Sequence, residues 1–125
     1  MSQGLPPRVL IVEDNSILAM DLQEVLESHG CAIVGPTASI SESLDVIERG
    51  NIDIALVDFL LGDGNAEPLA KLLDEKSIPF AICTGMQESE MSLRYPNTPI
   101  LSKPYDPDDV CRVVDSLIAA RLGSA

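Results

Sequence analysis

The stretch "NIDIALVDFLLGDG", residues 51–64, contains an apolar run that ends in an acidic residue. The run is typical of a buried β-strand over 53–58, and its last residue is Asp58. An ionised carboxylate beside an apolar core is costly unless a counter-charge or hydrogen bonds compensate it. Asp58 therefore requires a partner that neutralises it.

Four further apolar runs alternate with helical patterns along the chain. They predict strands at 8–13, 31–36, 79–84 and 99–102. Helices are predicted after Asn15, after Ser39 or Ser41, over 66–75 and after Asp106, with Gly30 and Gly50 ending the first two. The segment 86–97 has few apolar residues and predicts a short or mobile helix. Continuous apolar strands between helices favour the α/β class: a doubly wound sandwich of three layers around a parallel sheet. We take 2-1-3-4-5, a common order in such sheets, as the predicted strand order.

Length and charge limit the classes of protein. The 125 residues suffice for one domain, which we place at 8–121 between an extension at 1–7 and a tail at 122–125. A net charge of −12 argues against direct binding to nucleic acid. No apolar run approaches the roughly 20 residues of a membrane span, and 1–8 resembles no signal peptide. We expect a cytoplasmic protein without membrane contact.

The cysteines and the histidine suggest no catalytic or metal centre. Cys31, Cys83 and Cys111 are odd in number and widely spaced, which predicts buried thiols in a reducing compartment. His29 precedes Gly30 at a probable helix end and is expected to cap that end or to contact solvent.

Chemically important side chains follow the predicted strands. Glu13 and Asp14 follow the first strand, Asp58 ends the third, Thr84 ends the fourth and Lys103 follows the fifth. Each alone has a structural explanation: helix capping, a satisfied strand end or a solvated lysine. Because the first and third strands are neighbours in the predicted order, the three carboxylates converge, and each like-charged pair at roughly 4 Å costs about 4 kcal/mol at an effective dielectric near 20. Lys103 and a hard divalent cation such as Mg²⁺ would together balance the three charges.

The motifs "LIVEDN", "DIALVDFLLGDG", "PFAICTGM" and "ILSKPY" resemble, in this order, those of the receiver domain of two-component response regulators. The resemblance covers roughly 8–121 and implies a flavodoxin-like (βα)5 fold with the strand order 2-1-3-4-5. The stretches "GPTAS", "PFAICTG" and "PILSKPY" further resemble a stand-alone alphaproteobacterial group of receivers that is named for a Phe-Ala-Thr-Gly signature.

The resemblance implies a catalytic role for three residues. Asp58 would be the phosphoacceptor, which attacks the phosphoryl group of a phosphohistidine and forms an acyl phosphate. Thr84 would donate its hydroxyl to a phosphoryl oxygen. Lys103 would pair with another oxygen, held by the turn at Pro104, which is often a cis peptide in this family.

The resemblance also implies a metal ion and protein partners. Asp14 would bind Mg²⁺, or alternatively Mn²⁺, directly, with Glu13, Asp58 and the backbone carbonyl of Leu60 contributing. The expected partners are a sensor histidine kinase or phosphotransfer protein and a downstream protein target, with the chain a monomer or weak homodimer. No output domain follows within this chain. It would not be a classical enzyme, although receivers promote their own phosphorylation and dephosphorylation.

Three positions depart from the receiver pattern. Ile100 stands where a rotating Tyr or Phe is common, and Tyr105 occupies a different position that does not replace it. Leu60 stands where Asn, Asp or Lys is frequent, and Gly62 lies in a flexible "GDG" where many receivers have Pro. With the sparse 86–97 segment, these departures suggest signalling by ordering of the fourth-helix region.

Three other functions fit parts of the pattern. A phosphorylation-independent pseudo-receiver that binds proteins fits Ile100 and Leu60, but the intact acidic set and Lys103 argue against it. A haloacid-dehalogenase-like phosphatase would need an acid at Leu60, which cannot transfer protons. A flavodoxin-like FMN carrier would place phosphate beside Glu13 and Asp14, which would repel it.

Overall fold

The computed structural model describes residues 5–85 and 88–123. Within those residues, five parallel strands alternate with five helices, and two very short strands form a separate hairpin. In chain order the elements are β1 (Arg8–Val12), α1 (Ser16–Ser28), β2 (Ala32–Thr37), α2 (Ile40–Arg49), β3 (Ile54–Asp58), β4 (Leu60–Leu61), β5 (Gly64–Asn65), α3 (Glu67–Glu75), β6 (Phe80–Thr84), α4 (Glu88–Arg94), β7 (Ile100–Ser102) and α5 (Pro107–Gly123).

The parallel strands lie in the order β2-β1-β3-β6-β7. Counted among the parallel strands alone, this is the order 2-1-3-4-5, so the predicted topology is confirmed. Val12 near the end of β1 lies opposite Val57 of β3. Glu13 follows Val12 and Asp58 follows Val57, so the two acids lie side by side at the same edge of the sheet.

Helices cover both faces of the sheet, which confirms the three-layer sandwich. On one face, Leu22 of α1 and Val114 of α5 share an apolar cluster with Ile11 of β1. On the other face, Leu69 of α3 shares a second cluster with Leu10 of β1. Because consecutive strand residues point to opposite faces and both faces are covered, the strands appear in the sequence as continuous apolar runs.

The predicted starts of α1 and α2 are confirmed. The Asn15 side chain accepts the backbone N–H groups of Ile17 and Leu18 at 3.0 and 3.1 Å. Of the two candidates before α2, Ser39 is the cap, because its hydroxyl accepts the N–H of Glu42. These oxygens satisfy N–H groups that have no partner within a helix.

His29 caps the end of α1, one of the two roles expected of it. Its Nε2 also lies 2.8 Å from Oδ1 of Asp115 in α5, a contact between neighbouring helices that no local pattern indicates. Cys31 and Cys83 are buried as predicted, whereas Cys111 is only half-buried.

The loop after β3 is more regular than the sequence suggests. Leu60–Leu61 pairs with Gly64–Asn65 in an antiparallel hairpin, with Gly62 and Asp63 in its turn. Both carboxylate oxygens of Asp63 lie 3.1 Å from the backbone nitrogen of Ile40, which donates from the first turn of α2. The "GDG" stretch is thus attached to α2.

The weak fourth helical pattern forms a short helix, as predicted. Arg94 at the end of α4 donates to Glu67 at the start of α3 at 2.6 Å, and its guanidinium lies 5.3 Å from the centre of the Phe59 ring. The Tyr95 ring meets Phe59 edge-on at 6.0 Å. The residue after Asp58 therefore contacts the end of α4. Residues 86 and 87 of this segment lie outside the described residues, and its ordering on activation stays a prediction.

Among residues 5–85 and 88–123, no helix combines the length and the apolar character that crossing a membrane requires.

Candidate functional site

One cleft at the carboxyl edge of the sheet contains all the predicted catalytic side chains. Its volume is about 340 Å³. We name it the acidic cleft and define it by its lining: Glu13, Asp14, Asn15, Leu18, Asp58, Leu60, Thr84, Gly85 and Lys103. Parallel strands place their carboxyl ends at one edge, which is why residues so distant in sequence meet there.

Three carboxylates crowd the acidic cleft. One oxygen from each of Glu13, Asp14 and Asp58 lies within 4.8 Å of the other two. Glu13 and Asp58 are only 2% and 4% exposed, whereas Asp14 is exposed. Ionised carboxylates this close repel one another, and burial strengthens the repulsion because little water screens it.

Lys103 supplies a positive charge to this cluster. Its Nζ lies 2.9 Å from Oδ2 of Asp58 and 3.0 Å from Oε1 of Glu13. Burial acts to lower the pKa of Lys103, but its bonds to Asp58 and Glu13 outweigh burial and raise that pKa above the ordinary value. The lysine therefore stays charged, yet it balances only one of the three acids.

Burial dominates the ionisation of Asp58. The pKa of this carboxyl is raised from 3.8 to about 6, mainly by burial; the hydrogen bond from Lys103 opposes the rise, and the negative charge of Glu13 adds to it. Asp58 is consequently ionised at neutral pH, when the acidic cleft holds an excess of negative charge. Lys103 thus neutralises Asp58 only in part.

The oxygen-rich donor set suits a hard divalent cation. Mg²⁺ prefers carboxylate and carbonyl oxygens and keeps several of its waters. Glu13, Asp14 and Asp58 are the residues that could hold it through their side chains. The cleft is open to solvent at Asp14 and at Leu60, which leaves room for water. The carbonyl of Leu60 stays a predicted ligand.

The backbone around Thr84 fixes the loop that carries Lys103. Thr84 is 2% exposed, and its carbonyl oxygen accepts the N–H of Lys103 at 2.9 Å. The Lys103–Pro104 peptide is cis, as the family resemblance implies. Lys103 is thereby attached to the strand end that also carries the predicted hydroxyl donor.

Tyr105 belongs to the site although the sequence indicates no such role. Its hydroxyl donates to Oε1 of Glu13 at 3.0 Å. Burial, the Cys83 thiol and the Glu13 charge all raise the pKa of Tyr105, so the hydroxyl keeps its proton. The available signal was position: Tyr105 comes two residues after Lys103, at the same edge of the sheet.

Ile100 lies where the sequence comparison with receivers expects an aromatic ring. It is half-buried at the start of β7 and packs against the cluster that contains Phe59 and Met91. An aliphatic side chain there has no ring to rotate towards Thr84, so any switch in this chain works by other contacts.

Comparisons with known proteins agree with this geometry. The family model described as the response regulator receiver domain matches residues 9–115. The phyllosphere-induced regulator PhyR of Methylorubrum extorquens is 25% identical over 122 residues, which are 94% of this chain and 46% of that protein. The chain spans about half the length of the curated relatives it matches.

Solved structures show the same likeness. The solution structure of SdrG from Sphingomonas melonis has 33% identity and a TM-score of 0.77, covering 98% of this chain and 99% of SdrG. SdrG has also been solved in a BeF₃-activated conformation, with a TM-score of 0.78 at 32% identity, covering 93% of this chain and 99% of that one. PhyR from Brucella abortus has 26% identity and a TM-score of 0.85, covering 96% of this chain and 51% of that one.

These matches confirm the predicted resemblance to receivers, including its alphaproteobacterial side, where PhyR and SdrG belong. The fold, with its parallel strand order, is also that of the receiver domains among these structures. Since the family model extends over most of the chain, from residue 9 to residue 115, this protein belongs to the response regulator receiver domain family.

Proposed function

We propose that the chain is a Mg²⁺-dependent phosphoacceptor in histidine-to-aspartate signalling, with Asp58 as the residue that is phosphorylated. One observation carries this proposal: buried Asp58 shares a single cleft with Glu13, Asp14 and Lys103. Structural ion pairs balance their charges, whereas this cluster leaves an excess of negative charge that suits a cation and a phosphoryl group.

The chemistry requires little beyond position and charge. An Asp58 oxygen attacks the phosphorus of a phosphohistidine whose ring is protonated on its other nitrogen. The new oxygen–phosphorus bond forms as the phosphorus–nitrogen bond breaks, and the nitrogen keeps that electron pair, so the donor histidine leaves as neutral imidazole. Lys103, whose Nζ lies 2.9 Å from Asp58, moves to a phosphoryl oxygen when the negative charge passes from Asp58 to the phosphoryl group. Thr84 offers its hydroxyl to another. Mg²⁺, when bound by Glu13, Asp14 and Asp58, supplies positive charge that stabilises the phosphoryl oxygens during transfer.

Partners follow from the same chemistry. A sensor histidine kinase or a phosphotransfer protein supplies the phosphoryl group, and a downstream protein recognises the phosphorylated surface. Cys31, Cys83 and Cys111 are free thiols, which suits a reducing compartment and supports a cytoplasmic location.

The direct test is the intact mass of the protein after incubation with acetyl phosphate and MgCl₂. Wild type should gain one phosphoryl group, and EDTA should prevent the gain. Asp58→Asn should gain nothing, because the amide is no nucleophile. Asp63→Asn is the matched control: it makes the same change five residues later, outside the acidic cleft, and should be phosphorylated like wild type.

Some receivers accept a phosphoryl group only from their kinase, so a negative result needs a second measurement. SdrG has been solved in a BeF₃-activated conformation. Titration of this chain with beryllofluoride and MgCl₂ should then shift the NMR signals of residues around Asp58. If neither reagent acts, phosphoacceptor function is wrong and a phosphorylation-independent binding module becomes the better explanation.

A further inference from the structure

The carboxylate of Glu13 is buried and fully engaged. Oε1 accepts from the Tyr105 hydroxyl at 3.0 Å and forms an ion pair with Lys103 Nζ, also at 3.0 Å. Oε2 accepts from the backbone N–H of Asn15 at 3.1 Å and from Lys103 at 3.3 Å. Its side chain has no exposed surface, so water cannot replace a lost donor.

Lys103 cannot serve Glu13 and a phosphoryl group equally. Its Nζ also bonds Asp58 at 2.9 Å, and in the proposed reaction it moves to an oxygen of the group that Asp58 receives. Glu13 then depends on the donors that remain, the Asn15 N–H and the Tyr105 hydroxyl. A buried carboxylate that has lost its donors would reorient, and that change removes it from the metal site.

Tyr105 is positioned to keep its hydrogen bond to Glu13 when Lys103 moves. It follows the Lys103–Pro104 peptide, and its ring packs against the apolar cluster that contains Cys83 and Val110. The Cys83 thiol also interacts with its hydroxyl. The ring is thus held by the core while its hydroxyl reaches the acidic cleft.

We propose that Tyr105 is a positioning residue of the metal site, whose hydroxyl holds the Glu13 carboxylate in its metal-binding orientation, also when Lys103 has moved to the phosphoryl group. This role rests on the proposed function. Tyr105 itself touches neither the phosphoryl group nor the metal ion. Outer partners of metal-binding carboxylates commonly change metal affinity by about 10–100-fold when removed.

The test is MgCl₂ titration of the metal-free full chain, followed by backbone amide NMR shifts. Tyr105→Phe removes the hydroxyl and keeps the ring, and we expect its Kd for Mg²⁺ to rise about tenfold. The chain has two tyrosines, so Tyr95→Phe is the matched control. Tyr95 packs on Phe59 outside the acidic cleft, and its variant should bind Mg²⁺ like wild type.

Acetyl phosphate provides a second reading of the same variants. The concentration of Mg²⁺ that half-saturates the phosphorylation rate should rise about tenfold in Tyr105→Phe, in line with the Kd, whereas the rate at saturating Mg²⁺ should be unchanged. A merely structural role would lower the saturated rate or the melting temperature and would not separate the two quantities.

The outcomes distinguish this role from the proposed function. If wild type binds Mg²⁺ and is phosphorylated but Tyr105→Phe has a Kd within about twofold of wild type, the positioning role is wrong and the proposed function stands. An equal loss in Tyr95→Phe also overturns the role. If wild type neither binds Mg²⁺ nor accepts a phosphoryl group or beryllofluoride, both are wrong.

Discussion

Asp53 and Asp58 lie at opposite ends of β3, and their surroundings differ sharply. Asp53, just before β3, accepts the backbone N–H of Arg8 at 2.8 Å and lies 3.2 Å from Nε of Arg121, in a partly exposed setting. Asp58, the last residue of β3, is buried among two further acids and shares Lys103 with Glu13.

Asp53 is therefore an acid that stabilises the fold, whereas Asp58 is retained although it costs stability. At the amino edge, positive groups face a single carboxylate and water screens the remainder. At the carboxyl edge, three carboxylates, of which Glu13 and Asp58 are buried, face Lys103. Clustered acids with a raised pKa are typical of functional sites, because the same excess charge that costs stability attracts a cation and a reactant.

The largest expected effect on stability is that of Lys103→Ala. It leaves Glu13 and Asp58 buried without their shared cation, so the free energy of unfolding at pH 7.5 should fall by about 3 kcal/mol or more. Urea denaturation measures this. Lys76→Ala is the matched control: Lys76 forms an exposed pair with Glu48 at 3.4 Å, and its loss should cost under about 1 kcal/mol. Equal losses would show that burial does not distinguish the two lysines.

Asp58→Asn should have the opposite sign and stabilise the protein. Since the pKa of Asp58 is raised from 3.8 to about 6, the folded state binds the proton more tightly than the unfolded chain. The wild type therefore loses stability as the pH rises from about 4 to about 6, by up to about 3 kcal/mol at 1.36 kcal/mol per pKa unit. The variant lacks this loss.

The pH profile makes the second prediction specific. Urea midpoints of wild type and Asp58→Asn should differ most above pH 7, and the gain should vanish below about pH 4, where Asp58 is protonated in both states. A destabilised variant at pH 8 would contradict the raised pKa and the excess charge at the carboxyl edge.

Asp53→Asn tests the other edge and should destabilise. The amide keeps an oxygen for the Arg8 N–H but loses the charge that attracts Arg121, at a cost of about 1 kcal/mol in the free energy of unfolding. Thermal melting of Asp53→Asn and Asp58→Asn side by side at pH 8 should move in opposite directions. Shifts of the same sign would remove the contrast between the two edges.

The smallest expected effect is that of Arg121→Gln. Its pair with Asp53 is partly exposed, with side chains 40% and 35% accessible, so we expect a loss of about 0.5 kcal/mol. High salt should abolish the difference from wild type, because it screens partly exposed charges. A loss that persists in high salt would indicate packing by the arginine side chain rather than charge.

Most of the fold could be predicted because its signals are local. Asn15 and Ser39 cap the helices that follow them, and the central strands β1, β3 and β6 are mostly apolar runs. The hairpin of Leu60–Leu61 and Gly64–Asn65 escaped prediction because two-residue strands are too short to show a period. Its attachment to α2 through Asp63 depends on Ile40, 23 residues away.

The strand order was predicted with the help of the family that the motifs resemble. The amino-acid sequence by itself determined the acids and lysine of the acidic cleft and their placement at one edge. It could do so because parallel strands deliver the residues that follow them to a common edge, whatever their separation in the chain.

Only the tertiary structure decided how those groups are paired. The bond from Tyr105 to Glu13 joins residues 92 positions apart, and the sharing of Lys103 between Glu13 and Asp58 depends on side-chain distances of about 3 Å. A sequence pattern can place a residue at an edge of the sheet. Whether two groups there form a hydrogen bond depends on distance differences of tenths of an ångström, and the packing of the whole core sets those distances.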